Sequence, residues 1–161
     1  MRFRRLSKEE LEPLEDDFIQ FLAAHQITAQ DWISLKEHNT PKVNELVDVF
    51  SDIVLEKVFS TIQYLQHRTK DTIRVFYCQE DKITMTGLQI SDPNKDLTSA
   101  ADLALLSQPS AIEGKVKLFQ IDKVYTDKRA DEVYSMMHKD GCRPAPKGMF
   151  EVLENMYSQS S

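Results

Sequence analysis

The hydrophobic period changes part-way along this chain, and that change limits the folds open to it. Leu11, Leu14, Phe18, Phe21 and Leu22 recur at helical spacing. Val43, Leu46, Val47, Phe50, Ile53, Val54 and Val58 form a second apolar arc, with Glu45, Asp48, Asp52 and Glu56 on the opposite side. Such stripes mark amphipathic helices, and an acidic stripe facing away from the apolar arc reads as a solvated face. Helix starts are legible too. Ser7 with Glu10 makes a capping box, Thr28 suits the cap of a short helix carrying Trp32, Ile33 and Leu35, and Thr40-Pro41 pairs a capping residue with a proline at the first helical position. Pro13 predicts a kink in the first helix or a later start.

From Phe59 the pattern is that of strands. Phe59 to His67, Thr72 to Cys78 and Ile83 to Ile90 are rich in β-branched and aromatic residues, and Gln79-Glu80-Asp81-Lys82 suits a hairpin loop. Gly87 inside the third strand predicts a bulge or a close backbone approach. A short helix is expected from about Thr98 to Leu106, closed by Gln108-Pro109. Lys115 to Tyr125 reads as a fourth strand whose Lys115, Lys117 and Lys123 suit an exposed edge. Two helices follow, Asp127 to Lys139, ended by Gly141, and Lys147 to Tyr157. The fold expected is α+β. It has a four-stranded, mostly antiparallel sheet (a three-stranded meander plus one later strand), an N-terminal group of three helices and two C-terminal helices. Strand order is open.

At 161 residues, one globular domain spanning 1–161 is expected, with frayed ends at 1–5 and 158–161. A chain of this size buries roughly 68–70% of its unfolded surface, so its core needs no metal or disulfide. The formal charge of −6 argues against nucleic acid as a partner. No apolar run is long enough for a membrane span. Met1-Arg2-Phe3-Arg4-Arg5 is followed by Glu9, Glu10, Glu12, Glu15, Asp16 and Asp17 rather than an apolar stretch, so no signal peptide is expected. With Cys78 and Cys142 read as free thiols, the cytoplasm is the expected compartment.

No motif assigns a reaction. No zinc-ligand motif appears, so no metal and no cofactor are expected. Cys78 closes one predicted strand and His67-Arg68 another, but nothing local gives a cysteine–histidine pair its electropositive setting. Cys78 is therefore read as a small buried side chain, and no catalytic residue is assigned. His25 shares the face of Phe18 and Phe21, and is read as a partly buried helix-end histidine bonded to a carbonyl rather than a base or sensor. Gly141 to Gly148 joins two helices and carries Arg143 and Lys147. It reads as helix stop, stiff turn and helix start, with anion binding at the new N-terminus as the functional alternative.

Two surfaces stand out as candidates. His67, Arg68, Arg143 and Lys147 are candidate ligand-binding residues. Met136, Met137, Met149 and Met156, with Tyr134 and Tyr157, fall in the last two helices. They suit core packing or an adaptable contact surface, and Tyr134, Met137, Met149 and Tyr157 are the partner-surface candidates. Charge is also asymmetric: residues 7–57 hold four bases and twelve acids, whereas residues 115–147 hold eight bases and five acids. The resulting expectation is a non-enzymatic interaction or regulatory module that self-associates or binds another protein. The alternative is a small-ligand-binding protein or enzyme with an anion-binding pocket between sheet and helices.

Phe3-Arg4-Arg5-Leu6-Ser7-Lys8-Glu9, Asp48-Val49-Phe50-Ser51-Asp52, Tyr64-Leu65-Gln66-His67, Tyr125-Thr126-Asp127-Lys128-Arg129 and Gly148-Met149-Phe150 resemble a family of small uncharacterised bacterial proteins classed as a domain of unknown function. The similarity runs along most of the chain. It implies a free-standing bacterial cytosolic domain and carries over no activity and no site residue.

Overall fold

The computed structural model describes residues 2–108 and 116–160. The chain divides into two compact units, residues 1–58 and 59–161.

The first unit is helical. It holds α1 (Lys8–Leu11), a 3-10 turn (Glu12–Leu14), α2 (Glu15–Ala24), α3 (Ala29–His38) and most of α4 (Thr40–Thr61). Both bonds of the Ser7–Glu10 capping box form, and so do both of a second box, Thr28–Asp31. The kink expected at Pro13 is the 3-10 turn. The cap of α4 is one residue earlier than expected, because the Asn39 side chain accepts from Lys42 N at 3.2 Å. Phe21, Leu22, Leu46 and Phe50 form the core, and the Phe18 ring meets Trp32 and Phe50 edge-on at 5.2 and 5.0 Å. His25 is exposed, but its Nδ1 donates to the Phe21 carbonyl at 2.9 Å, as expected for a helix-end histidine.

The acidic side of α4 is not simply solvated. Asp52 accepts from the backbone N–H groups of Arg2 and Phe3 at 2.8 and 3.0 Å. The Arg5 guanidinium meets Asp48 at 2.6 Å, and Arg2 meets Glu56 at 3.1 Å. Buried Ser51 accepts from Leu6 N and donates to the Val47 carbonyl. The basic N-terminal segment thus lies along this stripe, with Phe3 and Leu6 buried.

The second unit is built on an antiparallel sheet in the order β4-β3-β2-β1-β5, from β1 (Tyr64–Arg68), β2 (Thr72–Cys78), β3 (Lys82–Ile90), β4 (Val116–Val124) and β5 (Arg143–Pro144). The expected meander is β1-β2-β3, and β4 joins it beside β3. The expectation of four strands is corrected: the sheet has five. β5 has two residues, one of them a proline without an N–H, so it carries no alternation to read. It exists as a strand only because β1 supplies its partners, Leu65↔Pro144 and Gln66↔Arg143, and the Tyr64 carbonyl accepts from Ala145 N. The first strand is also shorter than expected, because α4 runs on through Phe59–Thr61.

α5 (Ala100–Leu103) and a 3-10 turn (Ala104–Ser107) stand where the short helix is expected. Pro109, its expected stop, and Lys115 lie outside the described residues. α6 (Arg129–His138) is closed off by Gly141 three residues on, whose φ of 74° is open to glycine without strain, and Cys142 N reaches back to the Met136 carbonyl at 3.0 Å. α7 (Lys147–Ser160) covers one face of the sheet, where Ile73, Val75, Leu88 and Leu153 are wholly buried.

Candidate functional site

Strand alternation sends Ile73, Val75 and Tyr77 toward α7, and Thr72, Arg74, Phe76 and Cys78 to the other face. The ladder then sets out two rows on that second face. His67, Arg74, Gly87 and Phe119 lie directly across from one another on β1, β2, β3 and β4. One step along, Leu65, Phe76, Met85 and Ile121 do the same. A groove of about 330 Å³ is lined by His67 and Arg74 of the first row and by Phe76, Met85 and Ile121 of the second, with Met136 in the last turn of α6 and Asp140 and Cys142 in the turn after it on its border.

Gly87 stands directly across from Arg74 on β3. A Cβ there would stand 2.3 Å from the Phe119 ring, so the ring lies across the glycine backbone. This is the close approach that the sequence predicts, in the form of an aromatic ring covering a strand glycine. The Arg74 guanidinium sits over that ring at 5.7 Å from its centroid. It is half-buried, and among the described residues its N–H donors form no hydrogen bond to a protein acceptor. Its donors are thus left for water or for a ligand that enters the groove.

Arg129 provides the contrast. It is also half-buried, and it donates to five carbonyls: Phe59 at 3.1 Å, Ser60 at 3.4 Å, Cys78 at 2.9 Å, Gln79 at 3.3 Å, and Ile62. It caps the last carbonyls of α4 and holds the β2–β3 loop. Glu132 completes that corner. Burial alone would raise its carboxyl, but Thr126 Oγ1 and the backbone N–H groups of Thr126 and Asp127 donate to it, with Lys123 at 3.7 Å, and together they hold it below the ordinary range.

The sequence-predicted residues are not brought together. His67 lines the groove beside Arg74. Arg68, the next residue, takes the other face, and its Nη1 donates to the Leu97 carbonyl at 3.2 Å. Arg143 is exposed on β5, and Lys147 is exposed and paired with Glu151 at 3.6 Å. Tyr134 stacks on His138 and meets Phe59, both at 5.3 Å. Met137 is half-buried on α6, and Met149 and Tyr157 are half-buried on α7, with Met149 against the core. Burial pushes the Cys78 thiol up to about 11, and the Cys142 thiol likewise to about 11. Arg74, Phe76, Met85 and Ile121 escaped the sequence reading. The available signal was the charged residue in the alternation of an otherwise apolar strand, together with Gly87 one strand away.

A family described as "Family of unknown function (DUF6495)" matches residues 1–158. The chain belongs to it. No curated protein and no solved structure matches this DUF6495 chain. Among the described residues no helix is long and apolar enough to cross a membrane, and no group of three His, Cys, Asp or Glu side chains is placed to hold a metal.

Proposed function

We propose that this DUF6495 protein is a non-enzymatic binding module whose working surface is the groove over the second sheet face, taking an anionic group carried on an apolar body. The observation behind this reading is Arg74, half-buried among Phe76, Met85 and Ile121 with its donors open. Binding rather than covalent chemistry is favoured because the two buried thiols, raised to about 11, are poor nucleophiles at neutral pH. Native mass spectrometry of the gently purified full chain, followed by titration with the anionic dye anilinonaphthalene sulfonate, tests it. A bound anion or saturable dye binding that Arg74→Gln weakens supports the reading. Adducts and dye binding that are indifferent to Arg74→Gln overturn it.

Self-association is a second reading, and β4 favours it. This outer strand runs nine residues, with Ile121 60% and Val124 73% exposed. A long outer strand with exposed apolar residues is a template for pairing with another strand. Sedimentation across a concentration series tests it, and a strict monomer throughout would sink it.

A further inference from the structure

Resting on the groove reading, we infer that the ligand is a medium-chain aliphatic monocarboxylate, with its head group on Arg74 and its tail along Phe76, Met85 and Ile121.

The head group follows from geometry and charge. The Arg74 guanidinium carbon lies over the Phe119 ring, 5.7 Å from its centroid, a contact that uses none of its N–H donors. Those donors match a planar carboxylate with two parallel bonds. His67, directly across the ladder from Arg74, lines the same groove and adds a second polar contact. The remaining charges select a monoanion. Lys123 is drawn toward Glu132 at 3.7 Å, and Asp140 borders the groove. One uncommitted positive charge is therefore on offer, with the Asp140 carboxylate on the same groove's border.

The tail follows from the neighbouring row. Phe76, Met85 and Ile121 lie side by side on β2, β3 and β4, and Met136 borders them. Two strand spacings of about 4.8 Å make an apolar path of about 10 Å, enough for roughly eight methylenes. Methionines at the path's middle and rim adapt to a flexible chain better than to a rigid ring. A groove of about 330 Å³ is at the small end of ligand sites and suits one chain rather than two.

The test titrates isotope-labelled full chain with sodium decanoate, decanol and decylamine below their micelle points, in the native protein and in Arg74→Gln and Met85→Trp. Decanoate is expected to shift the signals of Phe76, Met85 and Ile121 and to bind about tenfold tighter than decanol, because the carboxylate adds a charge-assisted pair. Arg74→Gln is expected to erase that preference while the spectrum stays folded. Met85→Trp, which fills the tail path, is expected to weaken decanoate and decanol together. Equal binding of decanoate and decanol, a preference that survives Arg74→Gln, or shifts confined to other surfaces would overturn the inference. If decanoate fails while the dye still binds through Arg74, the ligand class falls and the groove reading stands. If neither anion responds to Arg74→Gln, both fall.

Discussion

The two faces of one sheet have been put to different uses. Toward α7, alternate residues of the strands are wholly buried: Ile73, Val75 and Leu88 pack against Leu153, with the Tyr64 and Tyr77 rings around Phe150 at 5.7 and 5.5 Å. On the second face, the same strands leave Phe76 and Met85 half-exposed and Ile121 60% exposed. Two half-buried arginines repeat the contrast. Arg129 is saturated by five carbonyls, whereas Arg74 rests on a ring with its donors open. Residues that hold the fold have their bonding capacity filled by the protein itself. Residues with capacity left over are those able to meet something else.

Substitutions on the two faces should separate these roles. The largest effect is expected for Leu153→Ala, which opens a cavity on the covered face and should cost about 2–5 kcal/mol in urea unfolding. Arg129→Ala leaves several carbonyls without donors and should cost about 3 kcal/mol, with Arg129→Lys recovering only part because an ammonium cannot fork across them. Glu132→Gln should cost about 2 kcal/mol at neutral pH. Because the folded carboxyl is held below its ordinary range, its contribution is present above the unfolded carboxylate value and fades as pH falls through the folded one. The variant's stability should therefore converge on the parent's in acid, and unfolding followed across that range checks it. Gly87→Ala forces the Phe119 ring aside and should cost about 1 kcal/mol. It should also remove the ring-current shift on Arg74, which is the sharper readout. Ile121→Ser, on the open face, should change stability by less than about 0.5 kcal/mol. A loss as large as that of Leu153→Ala would mean that the open face is core after all, and the contrast would collapse.

The helical unit carries a related lesson. Its apolar arcs appear in the sequence and pack as the arcs suggest. The stripe Glu45, Asp48, Asp52 and Glu56 reads as solvated, yet three of the four meet the N-terminal segment through Arg2, Phe3 and Arg5. The charges at both ends of that contact are visible along the chain. Their pairing is not, because it joins positions more than forty residues apart. Asp52 shows the difficulty well: it accepts from backbone N–H groups, which every residue but proline has, so no side-chain pattern announces the contact.

Local chemistry was enough for the elements: the capping box at Ser7, the cap at Thr28, the break at Pro13, the hairpin before Lys82, the stop at Gly141, and the close approach at Gly87. Each depends on residues within a few positions of one another, and short-range sterics and hydrogen bonding settle such features. The fifth strand, the end of α4 and the groove depend on distant partners. β5 is a strand because β1 lies beside it. α4 ends where Arg129, about seventy residues later, takes its carbonyls. The groove exists because the strand register sets His67 across from Arg74 and aligns Phe76, Met85 and Ile121 beside them. Register and long-range capture come from the free energy of the whole packed unit, and no window of the chain contains that sum.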